Sequence, residues 1–253
     1  MKALVTGASS GIGFEISKYL YSLGYDIIAV ARDLGKLNTL KEECDGHVEV
    51  IIANLSEKEE VYKVYEKTKN RNIDILVNNA GFGAFGKFED IPLDKELDMI
   101  GVNVEALHIL TKLFLRQMKE RNGGKILNIG SIAGFVPGPL MATYYSTKAY
   151  VYRFTQSIYK ELRKEKSNVS ITVCCPGPVS TNFNNVANVK FSMKPKTSNY
   201  VAKKAVDNML KGKLLALTGF KERVVHTASK LVPDSINAEF VYHIQQKKKK
   251  NFQ

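Results

Sequence analysis

The sequence predicts a single α/β domain in which a doubly wound parallel sheet of about seven strands lies between two layers of helices. Apolar runs of strand length alternate with longer amphipathic stretches along the 253 residues. The runs at 26–31 and 73–78 are almost continuously apolar, which is typical of parallel strands covered on both faces. No internal repeat and no Pro- or Ser-rich linker divides the chain.

The hydrophobic periodicity places the elements in alternating order. Strands are predicted at 2–6, 26–31, 48–53, 73–78, 125–130, 169–175 and 214–218. Helices are predicted at 12–23, 34–44, 57–70, 95–121, 145–165 and 199–211, followed after residue 220 by two short helices that Pro233 divides. We assign residues 1–246 to the domain and 247–253 to a basic C-terminal tail.

The chain is basic, with 37 Lys and Arg against 25 Asp and Glu and a net charge of +12. Such a chain can bind nucleic acid, an anionic membrane or an anionic small molecule. The basic residues alternate with acids at 57–70 and 160–166, which argues against a nucleic-acid or membrane binder. No apolar run reaches the roughly 18–20 residues of a membrane span. We expect a cytoplasmic protein, because the N-terminus also has no secretory pattern.

Cysteines and histidines give no sign of disulfides or metal. Cys174 and Cys175 are adjacent, and the third cysteine, Cys44, has no partner at a recognisable spacing. The four histidines lack metal-ligand spacing. We expect reduced thiols and no metal site.

A glycine loop follows the first strand. The run TGASSGIG at 6–13 leads directly into the first helix. Glycines there let the backbone turn sharply and approach a pyrophosphate at the helix N-terminus, where free N–H groups favour anions. A purely structural turn is the alternative at this point. The residues predicted to bind the phosphates are Gly7, Ser9, Ser10, Gly11, Ile12 and Gly13.

The end of the second strand bears on the choice of cofactor. Arg32 follows Ala31 at the strand tip, and an arginine there favours the 2′-phosphate of NADP(H) over the ribose of NAD(H). Asp33 is interpreted as the N-cap of the next helix. NADP(H) is therefore predicted as the preferred cofactor, with a plain surface role for Arg32 as the alternative.

Ser131, Tyr144 and Lys148 form a possible catalytic group. Ser131 follows a strand, and Tyr144 and Lys148 are four residues apart and so share one helix face. A lysine ammonium about 5 Å from the phenol contributes roughly 3 kcal/mol at an effective dielectric of 20, which would lower the tyrosine pKa by about two units. Tyr145 is three residues from Lys148 and should point elsewhere.

These motifs together resemble the short-chain dehydrogenase/reductases over about residues 1–220. The resemblance rests on TGASSGIG at 6–13, NNAG at 78–81, Asn103, Ser131, Tyr144, Lys148 and PGPVST at 176–181. The stretches at 129–135 and 144–150 look most like a general bacterial oxidoreductase branch of that family. The resemblance implies a Rossmann-type NAD(P)-binding domain that interconverts a carbonyl and an alcohol.

The family's catalytic roles map onto four residues. Tyr144 would exchange the proton with the substrate oxygen, and Ser131 would hydrogen-bond that oxygen. Lys148 would hold the nicotinamide ribose and lower the tyrosine pKa. Asn103 would support a water that relays protons to Lys148.

The resemblance also assigns cofactor contacts beyond the glycine loop. At the end of the third strand, Asn54 replaces the usual acidic residue, so we expect a weaker contact with adenine. Ser10 replaces a basic residue that some NADP users carry, which leaves more of that role to Arg32. The implied contacts are Arg32, Asn54, Leu55, Asn79, Ala80, Gly81, Tyr144, Lys148, Pro176, Gly177, Val179 and Thr181.

The expected partners are a small carbonyl or alcohol substrate and further copies of the chain. Apolar Phe183, Phe191 and Met193 in the long connection 178–198 suggest a lid over an apolar ketone or 3-oxoacyl substrate, and simple packing is the alternative. Wide apolar faces at 107–118 and 154–158 suggest a homodimer or homotetramer. A non-catalytic NADP(H)-binding regulator remains the alternative function.

Overall fold

The computed structural model describes residues 1–181, 183 and 195–249. It contains a seven-stranded sheet whose paired strands are all parallel, in the order β3-β2-β1-β4-β5-β6-β9. The predicted fold class is confirmed. The strands of this sheet are β1 (Lys2–Thr6), β2 (Asp26–Ala31), β3 (Val48–Ile52), β4 (Ile73–Asn78), β5 (Gly124–Ile129), β6 (Val169–Cys175) and β9 (Leu215–Leu217).

Helices follow the strands at the predicted places. They are α1 (Gly11–Ser22), α2 (Leu34–Glu43), α3 (Lys58–Thr68), α4 (Leu93–Ile100), α5 (Leu107–Glu120), α6 (Ala142–Lys164), α7 (Ser198–Leu210), α8 (Phe220–Ala228) and α9 (Asp234–Lys249). Short 3-10 helices span Phe88–Asp90 and Ile132–Phe135.

The long helix predicted at 95–121 is not one regular α-helix. A π-helical segment, Gly101–Ala106, separates α4 from α5. Gly101 faces the backbone of the loop after β3, where an added Cβ would lie 3.1 Å from the Ser56 carbonyl oxygen. The widened turn contains Asn103, in keeping with the frequent location of such bulges at functional sites.

Two apolar layers cover the sheet. On one face, Ile16 and Leu20 of α1, Leu37 of α2 and Met209 of α7 are fully buried. On the other face, Phe114 of α5 is buried together with residues of α3 and α6. Because both faces are covered, the strands carry apolar side chains in both directions.

The strand order reverses between β1 and β4. From β1 the chain continues to β2 on one side, whereas β4 is followed by β5 on the other. At such a switch point the loops after the strands separate and leave a crevice at the carboxyl edge of the sheet. The crevice determines where the site lies.

The proposed lid is only partly within the described residues. A second, two-stranded sheet pairs β7 (Val179–Ser180) with β8 (Lys196–Thr197), and Ser198 already begins α7, so the connection is shorter than 178–198. Residues 182 and 184–194, which include Phe191 and Met193, lie outside the described residues.

The residues predicted as a basic tail, 247–253, begin inside a helix. Helix α9 continues to Lys249 because Gln and Lys are good helix formers and no Gly or Pro interrupts them. Residues 250–253 lie outside the described part of the chain. Within the described ranges, none of the helices combines the length and apolar character needed to cross a bilayer.

Candidate active site

A cavity of about 1400 Å³ opens at the carboxyl edge of the sheet, beside the β1/β4 switch point. This volume exceeds the roughly 300–1000 Å³ typical of one ligand pocket, so it has room for a cofactor and a substrate. Most of the predicted site residues line it; they are Gly7, Ser9, Ser10, Gly11, Ile12, Arg32, Asn54, Leu55, Asn79, Ala80, Gly81, Ser131, Tyr144, Lys148, Pro176, Gly177, Val179 and Thr181. Gly13 and Asn103 are not among the lining residues.

The glycine loop is shaped by positions that exclude a side chain. Gly7 and Gly11 have φ values of +64° and +59°, which favour glycine. A Cβ on Gly13 would lie 2.4 Å from the Gly7 carbonyl oxygen and 2.3 Å from Nδ2 of Asn79. Gly13 therefore permits close packing of α1 on the loop and does not face the cavity.

Asn79 locks the same loop to the end of β4. Its Nδ2 donates hydrogen bonds to the carbonyl oxygens of Thr6 at 3.0 Å and Gly7 at 3.1 Å. The side chain of Ser10, the N-cap of α1, makes no capping hydrogen bond. The loop thus presents its backbone and the start of α1 to the cavity, which suits a pyrophosphate.

The end of β2 presents two basic side chains to the cavity. Arg32 is exposed there, and so is Lys36, which sequence reasoning missed. Asp33 is the N-cap of α2, as predicted, because its Oδ1 accepts from the Lys36 N–H at 3.1 Å. Its Oδ2 lies 2.9 Å from Lys36 Nζ, and the hydrogen bonds from Lys36 hold the pKa of Asp33 below its usual value. Lys36 lies three residues after the N-cap Asp33, in the first turn of α2, and this spacing could have identified it as a second basic residue near Arg32.

Asn54 lines the cavity but its amide oxygen has a local partner. Oδ1 accepts from the Ser56 N–H at 3.4 Å, in the turn that leads to α3. This bond favours the expected weak contact with adenine, because the oxygen already has one donor. Leu55 is largely buried beside it.

Ser131, Tyr144 and Lys148 meet at the inner end of the cavity. Ser131 caps the 3-10 helix after β5 and accepts from the Ala133 N–H at 3.1 Å. Tyr144 is in the first turn of α6 and lines the cavity together with Ser131. Lys148, one turn later, donates from Nζ to the Ile129 carbonyl oxygen at 3.0 Å, and this Nζ lies 5.9 Å from the centre of the Tyr144 ring.

The pKa of Tyr144 shifts in the direction opposite to the one expected. Burial raises this pKa well above its ordinary value, and the nearby Ser131 hydroxyl offsets only part of the increase. Burial also lowers the pKa of Lys148 to about 8. The expectation treated the lysine as a charge near the surface, whereas Lys148 is buried, Tyr144 is half-buried, and the ammonium donates to the Ile129 carbonyl.

Asn103 supports the site from behind. Its Oδ1 accepts from the Phe82 N–H at 3.0 Å, and its Nδ2 donates to the Phe82 carbonyl oxygen at 2.9 Å and to Thr147 Oγ1 at 3.0 Å. Thr147 in turn donates to the Tyr144 carbonyl oxygen at 2.7 Å. The Asn103 amide thus connects the loop that follows β4 to α6, the helix that carries Tyr144. The water relay through Asn103 stays a prediction.

Two further supports were not identified from the sequence. Gly134 packs against α6 so closely that a Cβ there would lie 2.5 Å from the Lys148 carbonyl oxygen. Cys175 is buried beside Ser131 and Lys148, and burial raises the pKa of its thiol, which therefore stays neutral. Neither residue has a sequence pattern that distinguishes it from an ordinary core residue.

Apolar side chains form the opposite wall of the cavity. Phe183 lies against Tyr144, with 5.2 Å between the two ring centres and the ring planes tilted by 52°. The remaining apolar wall comes from Val136, Met141, and the C-terminal residues Val225, Val232, Ile236, Phe240, Val241 and Ile244. A ligand with a reactive head near Ser131 and Tyr144 and an apolar body along these side chains would fit the cavity.

Two polar contacts join the C-terminal helices to the rest of the site. Gln245 of α9 donates to the Tyr145 hydroxyl at 3.0 Å, which gives Tyr145 a partner away from Lys148. Lys196 Nζ contacts both carboxylate oxygens of buried Glu222 on α8 at 2.7 Å. Glu222 packs next to Gly177, where a Cβ would lie 2.7 Å from its Oε1.

Comparison with known proteins gives the family of the chain. A sequence model described as short chain dehydrogenase matches residues 1–190. An uncharacterized oxidoreductase of Staphylococcus epidermidis is 35% identical over 182 residues, which cover 71% of this chain and 78% of that protein. The very-long-chain 3-oxoacyl-CoA reductase of Anas platyrhynchos is 33% identical over 208 residues, which cover 79% of this chain and 66% of that protein.

A solved structure shares both the fold and part of the sequence. The short-chain dehydrogenase from Sphingobium yanoikuyae in complex with NADPH aligns with a TM-score of 0.81 and 26% identity, covering 90% of this chain and 93% of that one. The sequence-model match ends before α7, so α8 and α9 lie beyond it.

Proposed function

The chain belongs to the short-chain dehydrogenase/reductase family of oxidoreductases, and from this premise we propose an NADP(H)-dependent enzyme that interconverts a carbonyl and an alcohol. The observation that carries the proposal is that Ser131, Tyr144 and buried Lys148 line one cavity, with Tyr144 and Lys148 one helical turn apart on α6. These groups lie between a cradle for a dinucleotide and an apolar wall.

The arrangement favours proton donation by Tyr144. When bound, the reduced nicotinamide supplies the hydride. Ser131 hydrogen-bonds the substrate carbonyl oxygen and stabilises the negative charge that develops on it. The raised pKa of Tyr144 keeps the phenol protonated at neutral pH, which is the form that carbonyl reduction requires.

Lys148 and Asn103 assist in different ways. With a pKa of about 8, the Lys148 side chain is mostly cationic at pH 7 and can donate to the ribose hydroxyls. Asn103 positions the Tyr144 helix through Thr147. The buried thiol of Cys175 takes no part in the proposed chemistry.

The preference for NADP(H) rests on Arg32 and Lys36. Both are exposed basic side chains at the rim of the cavity, whereas the carboxylate of Asp33 is engaged by the cap of α2 and by Lys36. A 2′-phosphate would replace that carboxylate as the partner of Lys36 and would bind Arg32 as well. The NADPH complex of the Sphingobium protein supports the same assignment.

The proposed substrate is an apolar ketone or a 3-oxoacyl thioester. The apolar wall supports this class, and the similarity to a 3-oxoacyl-CoA reductase agrees with it. The lid remains part of the proposal through Phe183, which lies against Tyr144.

We further propose a cytoplasmic homodimer or homotetramer. Cys44, Cys174 and Cys175 are free, which suits a reducing compartment. On α5 and α6, His108, Tyr150 and Phe154 form an aromatic stack at the surface side of the core, with ring centres 5.0 Å and 5.3 Å apart. Such a face fits a second copy, and light scattering at micromolar concentration tests it.

Replacement of the phenol hydroxyl tests the mechanism. Tyr144→Phe should reduce the rate of NADPH-dependent carbonyl reduction by about 10²–10⁴-fold, because it removes the proton donor but keeps the ring. Its NADPH affinity, measured by fluorescence titration, should match that of the wild type.

Tyr145→Phe is the matched control, since it loses a hydroxyl that is bonded to Gln245, and its rate should change little. Equal rates for the two variants would contradict the proposal, and NADPH binding without turnover in the wild type would indicate a regulator.

A further inference from the structure

Helix α8 presents an apolar stripe to solvent. Phe220 and Leu231 are 79% exposed and Val224 is 49% exposed. Phe220 and Val224 are four positions apart and so share one side of α8. Leu231 lies in the turn that follows the helix, where its N–H donates to the Ala228 carbonyl oxygen at 3.0 Å. We name these three residues the α8 stripe.

The opposite side of α8 is held by the protein. Glu222 is buried in its contact with Lys196, and Val225 and Val232 line the cavity. The helix therefore cannot turn the α8 stripe inward without breaking the Lys196–Glu222 pair. Phe220, Val224 and Leu231 are thus three exposed apolar side chains on one fixed segment, and such a patch fits a partner that is itself apolar.

Basic residues flank the α8 stripe on both sides. At 3.6 residues per turn, Lys221 lies on one side of it and Arg223 on the other, and Lys230 directly precedes Leu231; all three are exposed. Between residues 220 and 250 there are seven Lys and Arg against three acids, and one of these acids is the buried Glu222. An apolar stripe flanked by cations is the pattern of a helix that lies on an anionic lipid surface.

A second exposed apolar stripe, on α4, differs from the α8 stripe in the charge of its neighbours. Leu93, Leu97 and Ile100 on α4 are also exposed, but Asp94 and Asp98 accompany them. Acidic neighbours would be repelled by an anionic bilayer. Among the described helices, α8 therefore combines exposed apolar residues with the cationic flanks that a membrane surface attracts.

The α8 stripe ends where the cavity opens. Leu231 adjoins Val232, a lining residue, and the chain then turns into α9, where Ile236 and Phe240 are 58% and 66% exposed at the cavity wall. An apolar substrate dissolved in a bilayer would meet this wall at the surface where α8 docks. Four consecutive lysines, at 247–250, belong to the same C-terminal segment of the sequence.

We propose that the α8 stripe and its basic flanks dock this protein on the surface of an anionic phospholipid bilayer. The interaction is peripheral. It departs from the sequence-based expectation, which counted the alternating charges at 57–70 and 160–166 against a membrane binder and did not consider the cations beside the α8 stripe. It does not depend on the proposed reaction, because it can be measured without cofactor or substrate.

Sedimentation with vesicles tests the proposal. The full-length protein should cosediment with phosphatidylcholine vesicles that contain phosphatidylglycerol, and raising the salt concentration should weaken this binding. The double substitution Phe220→Ser and Leu231→Ser should reduce the affinity for these vesicles by about tenfold or more. It removes two apolar side chains that would insert between the lipids. Leu23→Ser, which replaces an exposed leucine after α1, is the matched control and should bind like the wild type.

A charge-matched pair of variants separates docking from a general effect of net charge. Reversal of Lys221, Arg223 and Lys230 to Glu should abolish binding, since each basic residue contributes about fivefold. Reversal of Lys58, Lys63 and Lys67 to Glu on α3 changes the net charge equally and should have a much smaller effect.

The proposal is overturned by any of four results. These are no binding of the wild type to the anionic vesicles, equal binding to pure phosphatidylcholine, equal losses in the two charge-reversal variants, and self-association in solution that Leu231→Ser abolishes. The last result would assign the α8 stripe to a second copy of the chain. Circular dichroism of every variant shows that the compared proteins are folded.

Discussion

The two sides of the cavity are built from different parts of the polypeptide. The cofactor side consists largely of backbone, with Gly7, Gly11 and Gly13 at positions where a side chain would collide or strain the chain. The substrate side consists of apolar side chains on α8 and α9, of which Ile236 and Phe240 are more than half exposed. One side therefore specifies a single ligand shape, whereas the other offers an apolar surface that fits many.

This difference explains why the sequence predicts the two sides unequally. Backbone that must turn and pack at one point leaves a glycine pattern, so the loop at 6–13 was identified without a structure. An apolar wall needs only residues of suitable size at helical spacing. Nothing in the pattern after residue 220 indicated which side of each helix faces the cavity.

The strands and most helices could be predicted because their apolar periodicity is strong. The predicted strand at 125–130 and the observed β5 differ by one residue at each end. The π-helical segment at Asn103 could not be predicted, because its extra residue per turn is set by packing against the loop after β3. The continuation of α9 to Lys249 was missed because a lysine run also occurs in unstructured tails.

Within the site, residue identity could be predicted better than electrostatics. Ser131, Tyr144 and Lys148 were identified and the structure brings them together. The direction of the Tyr144 pKa shift was wrong, since burial could not be judged from spacing alone. Lys36 and Thr147 were missed because an isolated lysine or threonine on a helix is common at the surface.

The largest effect is expected where the cofactor side is most tightly packed. Gly13→Ala places a methyl group 2.3 Å from the Asn79 amide and 2.4 Å from the Gly7 carbonyl oxygen. We expect a loss of about 1–3 kcal/mol in the free energy of unfolding and a strong loss of NADPH binding. Urea denaturation and NADPH titration measure both.

Gly123→Ala is the control, because a Cβ there meets no atom within 4 Å, and it should change neither quantity. Wild-type behaviour of Gly13→Ala would show that the loop tolerates repacking.

The ion pair between Lys196 and Glu222, which holds α8 in place, should contribute nearly as much to the free energy of unfolding as the packing at Gly13. Glu222→Gln removes the charge partner of Lys196 in a buried setting, and we expect a loss of about 1–3 kcal/mol in the free energy of unfolding. Glu49→Gln removes a carboxylate from the exposed pair with Arg71 and should cost about 0–1 kcal/mol. A larger loss in Glu49→Gln would contradict this contrast.

The same pair predicts a pH dependence. Burial would raise the pKa of Glu222, but the hydrogen bond and charge of Lys196 outweigh it, so the pKa in the folded protein is lower than 4.5. A lowered carboxyl pKa stabilises the fold above the unfolded-state value, and this contribution is lost as the pH falls through the folded value. The difference in unfolding free energy between the wild type and Glu222→Gln should therefore shrink below pH 4.5. A difference that stays constant down to acidic unfolding would contradict the ion pair.

The smallest effect concerns cofactor choice at the exposed rim. Arg32→Ala and Lys36→Ala should each reduce NADPH affinity about tenfold and leave NADH affinity unchanged, because each removes a donor to the 2′-phosphate. Lys41→Ala, in the last turn of α2, is the control for a general loss of positive charge. Equal losses for NADPH and NADH would assign Arg32 and Lys36 to the surface only.

We propose that the two sides of the cavity act together in an NADPH-dependent carbonyl reduction. The most direct measurement follows the absorbance of NADPH while the wild-type protein is offered a panel of carbonyl compounds with apolar bodies of increasing length. We expect NADPH to be oxidised, faster than NADH at equal concentration and faster for apolar ketones or 3-oxoacyl thioesters than for small polar carbonyls. Binding of NADPH with no oxidation across the panel would contradict the claim.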